Sequence, residues 1–204
     1  MVFTGFLENR LQTEPSYTNV YTEYAGGDDL LFVGPWNVIF RLASDIHETF
    51  SRYTCKNEDI TLSASIVLGH AKSLIASLVR QAGSLLDKAK TEGRNRIALF
   101  DMTLPWEDFD TAIGDGQFLF DCVRKGNFSQ GFLYRLLLYH QMSDRAKKYG
   151  SIRDLPWKSQ LRYDIARNIP SNNQEIRDRL DSMTTLTSID HLKIAATYAL
   201  YLRW

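Results

Sequence analysis

The sequence predicts an α+β protein whose first half mixes short strands with amphipathic helices and whose second half is all helical. Three observations carry that expectation. A glycine-centred turn, Gly26-Gly27-Asp28-Asp29, separates two strand-like runs, Tyr21 to Tyr24 and Leu30 to Val33. Helical and strand-like patterns then alternate as far as Phe100. Beyond Leu104 the chain breaks into helix-length segments punctuated by Pro105, Gly126, Gly150, Pro156 and Pro170. The division is 1–103 for the mixed part and 104–204 for the helical part.

Taken in order, Met1 to Leu11 carries Phe3, Phe6, Leu7 and Leu11 at helical spacing. The hairpin follows. Ile60 to Val67 alternates and is rich in β-branched residues, so it reads as a strand. Leu74 to Lys90 has apolar residues at helical spacing, Gly93 is placed to close that helix, and Ile97 to Phe100 reads as the next strand. The order is hairpin, helix, strand, helix, strand. Helices are then expected over 106–124, 128–149, 157–168, 173–185 and 188–203.

Composition narrows the class without choosing a function. With 204 residues and 44% hydrophobic content the chain can bury a core, as one domain or two small ones. The two cysteines, Cys55 and Cys122, form no C-x-x-C pair, so neither a disulfide framework nor a zinc ribbon is indicated, which suits a reducing cytoplasm. No leader pattern opens the chain and no run approaches the length of a membrane span, so a cytoplasmic protein without membrane association is expected.

The chemistry concentrates at the hairpin. Glycine adopts the positive φ that tight turns demand and leaves bare backbone at the tip, where a phosphate can approach. Asp28 and Asp29 beside it offer hard oxygen ligands suited to Mg²⁺ or Mn²⁺, the arrangement that palm-type nucleotidyltransferases use to hold a metal–triphosphate substrate. A purely structural Gly-Gly hairpin would read the same way. Ser63 and Ser65 flank Ala64 and could meet a base or ribose, or simply alternate into a sheet. His70 lies at a strand end near the presumed nucleotide site, and His47, His140 and His191 lack a Cys or carboxylate partner at ligand spacing, so no metal is assigned to them. Trp36, Trp106, Trp157 and Trp204 read as packing anchors. Between 124 and 167, ten basic residues face three acidic ones, a net of +7, although the whole chain balances 24 against 24. That segment reads either as a surface for an RNA backbone or acidic neighbour, or as ordinary solvated helix faces.

Gly-Gly-Asp-Asp on a hairpin, with Ala89-Lys90-Thr91-Glu92-Gly93-Arg94-Asn95 after a helix, resembles the palm of GGDEF-type nucleotide cyclases. Within that group, Tyr24 to Trp36, Leu62 to Ile66 and Lys90 to Arg96 resemble the large polymerase-like subunit of type III-A (Csm) CRISPR effector complexes, and the likeness continues through Leu104-Pro105-Trp106-Glu107 into the helical region. The resemblance implies a partial ferredoxin-like palm followed by a helical domain. It implies conversion of ATP into cyclic oligoadenylate second messengers upon recognition of a target RNA. Asp28 and Asp29 would be metal ligands or aid deprotonation of the attacking hydroxyl, Gly26 and Gly27 would admit the phosphates, and Lys90 and Arg94 would contact the triphosphate. Its implied partners are the other effector subunits, crRNA and target RNA, with the helical domain packing against small helical subunits.

The chain also departs from that pattern. A palm of this kind needs a further acidic residue on a strand before the hairpin, and nothing upstream of Tyr21 supplies one. Leu74 stands where a proline is expected. The expectation is a carboxy-terminal fragment of a longer subunit that works with the missing amino-terminal part. Two functions stay open: an enzyme part active when that strand is supplied, or a catalytically silent module that binds RNA or protein within the effector complex.

Overall fold

The computed structural model describes residues 5, 9–11, 13–27, 29–70, 72–183 and 189–202. It divides into two units, 1–106 and 107–204.

In the first unit a short 3₁₀ turn, Pro15–Tyr17, leads into β1 (Tyr21–Gly26) and β2 (Asp29–Val33). These pair antiparallel, from Tyr21 opposite Val33 to Gly26 opposite Asp29, with a bulge between Thr22 and Tyr24. α1 (Trp36–Tyr53) follows and buries Phe40, Leu42 and Ile46. Its apolar stripe meets Leu30 and Phe32 of β2, Leu62, and the buried Tyr17 and Leu11. Polar contacts pin the segment before the hairpin onto α1: the Tyr17 hydroxyl donates to Asp45, and the Arg10 guanidinium reaches Asp45 at 3.4 Å and Thr49 at 2.9 Å. Burial, then the bond to Asp45, pushes the Tyr17 hydroxyl well above the usual phenol range.

β3 (Ala64–Ile66), α2 (Ile75–Thr91), β4 (Arg96–Leu99) and β5 (Met102–Pro105) complete this unit. β3 runs parallel to β4, which pairs antiparallel with β5. The five strands therefore form two sheets, β1-β2 and β3-β4-β5, and no described strand joins them. The strand expected over Ile60 to Val67 is shorter because its start is used otherwise. The backbone N–H groups of Asp59 and Ile60 donate to Asn57 in a turn, and the Leu62 carbonyl accepts from Trp106 Nε1 at 2.8 Å. Gly93 closes α2 at φ 125°, as its position in the sequence indicates, and Arg94 and Asn95 continue in the left-handed region at 57° and 45°. β5 is a strand the sequence patterns missed. It is reached through a two-residue turn with Phe100 at φ 49° and Asp101 at 63°, a left-handed pair normally signalled by Asn-Gly or Asp-Gly.

The second unit is helical: α3 (Trp106–Arg124), α4 (Gln130–Tyr149), α5 (Trp157–Asn168), α6 (Gln174–Ser182) and α7 (Ile189–Tyr201), with a 3₁₀ turn at Ile152–Asp154. Trp106 itself belongs to the first unit. The core gathers Leu119, Phe132, Leu136, Trp157, Leu161, Leu180, Leu192 and Ala195. α4 packs chiefly against α7. Small residues permit close approach of α3 and α7, since a Cβ on Gly116 would lie 2.9 Å from the Ala195 carbonyl oxygen. The ends expected for the last two helices fall partly on 184–188 and 203, outside the described residues. Most of the expected Met1 to Leu11 helix also lies outside them, although residues 9–11 are helical.

Candidate nucleotide site

The glycine hairpin is as tight as its sequence demands. Gly26 pairs with Asp29 across a two-residue turn, and Gly27 takes φ 64°, a conformation glycine adopts without strain. Gly26 is covered by its own neighbour on the strand: a Cβ there would fall 2.6 Å from the Tyr24 hydroxyl oxygen. Residues two apart share a face of a strand, so this tyrosine lid follows from the β geometry. Asp29 opens β2 with an exposed side chain, and Asp28 lies outside the described residues.

Asp29, Tyr24 and Ser63 line one cavity of about 440 Å³, with Leu30, Leu31 and Phe32 of β2, Leu62 to Ile66, the inner faces of α1 and α2, and Trp106. Of the sequence-predicted residues, the structure thus brings Asp29 and Ser63 to one cleft. Ser65 borders it too, but its hydroxyl donates to the Ala82 carbonyl at 2.8 Å, tying β3 to α2. Lys90 and Arg94 sit at the far end of α2, both exposed, and neither lines the cavity. The Arg94 N–H donates to the Ala89 carbonyl at 3.1 Å, so its backbone belongs to the helix end while its side chain faces solvent. Trp106 is an anchor of the cleft: its ring stacks on His47 with centroids 4.5 Å apart.

Among the described residues no three His, Cys, Asp or Glu side chains come together as a metal cage. Asp29 is a hard oxygen donor of the kind Mg²⁺ or Mn²⁺ takes. His70 is exposed, and its backbone N–H donates to Ser73 Oγ at 3.1 Å. His140 and His191 have carboxylate partners, neither of them at ligand spacing. They meet Asp190 at 3.2 Å and Asp108 at 3.3 Å, contacts between residues 50 or more apart in the chain or on different helices. The His140 contact holds the Asp190 carboxyl below its usual range.

The basic segment is partly neutralised by its own fold. Arg124, Arg135, Arg145 and Lys148 pair with Asp121, Asp164, Asp154 and Asp144. Arg153, Lys158 and Arg162 make no salt bridge among the described residues. Asp154 is buried, accepts from Nε and Nη2 of Arg145 and from the Ser151 hydroxyl, and is held down to about 2, chiefly by the Arg145 hydrogen bonds. No helix among the described residues is long and apolar enough to cross a membrane.

Residues 2–98 match the family model of the Cas10/Cmr2 second palm domain. Similar curated proteins bear the name CRISPR system single-strand-specific deoxyribonuclease Cas10/Csm1 (subtype III-A). The one from Methanocaldococcus jannaschii is 30% identical over 128 residues, covering 52% of this chain and 16% of that protein. The Mycobacterium tuberculosis protein is 32% identical over 133 residues, covering 61% and 16%. The Streptococcus thermophilus protein is 31% identical over 119 residues, covering 56% and 15%. Residues 2–98 are thus similar to the second palm domain of the Cas10/Cmr2 family, and the chain is similar to Cas10-like large subunits, spanning under a fifth of the length of those relatives.

Proposed function

We propose that this chain is the nucleotide-handling palm of a type III CRISPR effector subunit, and that the complete subunit makes cyclic oligoadenylates from ATP when the complex holds a target RNA. The observation that carries the reading is the turn itself: Gly26 faces Asp29, Gly27 is left-handed, and both lie within the residues that match the family model. Asp29 with Asp28 would hold a divalent cation, which supplies charge neutralisation at the phosphates when bound. Gly27, with nothing within 4 Å of where a Cβ would stand, would admit those phosphates, and Gly26 would do so once the Tyr24 hydroxyl that covers it moves aside. The turn carboxylates would orient, or take a proton from, the ribose hydroxyl that attacks the α-phosphate as pyrophosphate leaves. Ser63 would meet the nucleoside, while Lys90 and Arg94, outside the cleft, would contact the triphosphate only where it extends beyond the cleft to the end of α2. A ferredoxin-like sheet would be complete once a further strand joins the unit. The working assembly would be cytoplasmic and would include other effector subunits, crRNA, target RNA and the amino-terminal part of the large subunit, with Arg153, Lys158 and Arg162 offering a basic face to RNA or to an acidic neighbour.

A second reading makes the chain a silent assembly module that binds RNA or protein. It is favoured by the lack of a third ligand at the turn among the described residues and by a cleft without any lining cation. Titration calorimetry of ATP with Mg²⁺ separates the two. In the assembled subunit, ATP should bind only with Mg²⁺ or Mn²⁺, and Asp28→Ala/Asp29→Ala should weaken it sharply. Equal ATP affinity and turnover in the double variant would remove the carboxylates from the site and favour the module.

A further inference from the structure

The helical unit holds a cavity of its own, about 690 Å³, which lies within the size range of small-molecule sites. It opens where the end of α3, the connection 125–129 and the start of α4 meet the last turns of α5 and α7. α3 stops there because Gly126, at φ 76°, donates to the Val123 carbonyl while the Asn127 N–H reaches back to the Cys122 carbonyl at 2.9 Å. After that reversal Phe128 is buried, edge-on to Phe132 with ring centroids 4.9 Å apart. Phe128, Phe120 and Leu133 give the cavity an apolar wall.

The polar groups beside that wall are of two kinds. Asn168 is already committed: its Oδ1 accepts from Arg135 at 3.1 Å and its Nδ2 donates to the Asp164 carbonyl at 2.8 Å. Gln130 is half-buried, and its carboxamide has no hydrogen-bond partner among the described residues. A carboxamide held in that state costs stability until something pairs with it. Arg124 is the one charged lining residue among those described; it meets Asp121 at 3.5 Å and leaves most of its guanidinium exposed. No described Asp or Glu lines the cavity, so a cation would find no counter-charge there.

These groups select an occupant that is flat and apolar on its faces, with a donor and an acceptor on one edge and an anion beyond. An aliphatic ligand would leave Gln130 unpaired. A nucleobase lies on apolar and aromatic side chains by its faces. A carboxamide, one donor beside one acceptor, matches the N6/N7 edge of adenine, whereas guanine presents two acceptors there and leaves the amide oxygen unmatched. We propose that this cavity binds an adenine nucleotide, with the base against Phe120 and Phe128, Gln130 on its edge and Arg124 at the phosphate. The site is separate from the hairpin chemistry, and with no lining carboxylate it requires no divalent cation.

Calorimetry of the full chain with adenosine 5′-monophosphate in EDTA tests it, and amide hydrogen exchange locates the ligand. A single equivalent should bind without metal and slow exchange at 127–133 and 199–200. Guanosine 5′-monophosphate should bind about tenfold more weakly, and Gln130→Ala should erase that preference while the circular dichroism spectrum stays folded. Arg124→Ala should weaken the monophosphate about threefold, the scale of an exposed ion pair, and leave adenosine unchanged. A short single strand of adenosines held more tightly than the monophosphate would name RNA as the source of the base, and weaker binding of the strand a free nucleotide. No binding at millimolar monophosphate, equal affinity for the two bases, or a preference that survives Gln130→Ala would overturn the proposal. So would binding that needs Mg²⁺ or is lost in Asp28→Ala/Asp29→Ala, which would place the ligand at the hairpin. Metal-free binding here, with ATP affinity at the hairpin indifferent to that double variant, would sink the hairpin reading and leave this one standing.

Discussion

Gly114 and Gly116 lie two residues apart on α3, and replacing each by alanine should move stability in opposite directions. Both substitutions relieve the helix of a glycine, a gain of about 0.8–1.0 kcal/mol at an unobstructed site. At Gly114, which is exposed, a new Cβ meets nothing within 4 Å, so Gly114→Ala should show that gain. At Gly116 the Cβ would lie 2.9 Å from the Ala195 carbonyl oxygen and 2.7 Å from Tyr198 Cδ1, in the buried seam with α7. Ala195 is wholly buried and its carbonyl is backbone, so relief requires a shift of the helix, an overpacking penalty of about 1–3 kcal/mol. The propensity gain is common to both variants, and their difference therefore isolates the seam at about 1–3 kcal/mol. Urea denaturation followed by circular dichroism measures it. Equal stabilisation by both alanines would refute close packing of α3 on α7.

Three further outcomes follow from the same geometry. Arg94→Ala should weaken ATP binding in the assembled subunit by about 1.5–3 kcal/mol, the loss of one charge-assisted contact, without unfolding the protein; loss of its folded circular dichroism signal at room temperature would make Arg94 structural. Arg94→Gly should weaken binding equally yet raise thermal stability, because Arg94 holds φ 57° where glycine is unstrained; an unchanged or lower melting temperature would contradict the strain argument. Asp154 is depressed to about 2, so its contribution to stability is present above the ordinary carboxylate value of 3.8 and is lost as pH falls toward 2. Arg145→Gln should move the acid unfolding transition to higher pH, and a superimposable acid titration would show that the pair is idle.

Much of the secondary structure was legible because the relevant signals are local. Gly26 and Gly27 mark a turn by their conformational freedom, Gly93 ends α2 by the same property, and the stripes of α1 to α5 repeat at helical spacing. What escaped the sequence depends on partners distant in the chain. The pairing that starts β3 only at Ala64 reflects the use of Leu62 by Trp106, 44 residues on. β5 follows a Phe100-Asp101 turn that lacks the usual glycine, so no local signal announced it. His140 and His191 have aspartate partners that no ligand spacing reveals. At the site, Asp29 and Ser63 converge on one cleft although 34 positions separate them in the sequence, and only tertiary packing could bring Ser65 to the Ala82 carbonyl instead.

The central claim, that this palm serves ATP chemistry with a partner polypeptide, is tested most directly by chromatography of reaction products. The chain would be incubated with ATP and Mn²⁺, alone and with the amino-terminal part of the large subunit, the other effector subunits, crRNA and matching target RNA. The account predicts cyclic oligoadenylate in the complete mixture, none from the chain alone, and none from the mixture when Asp28→Ala/Asp29→Ala replaces the native chain. Product from the chain alone, or undiminished product with the double variant, would contradict it.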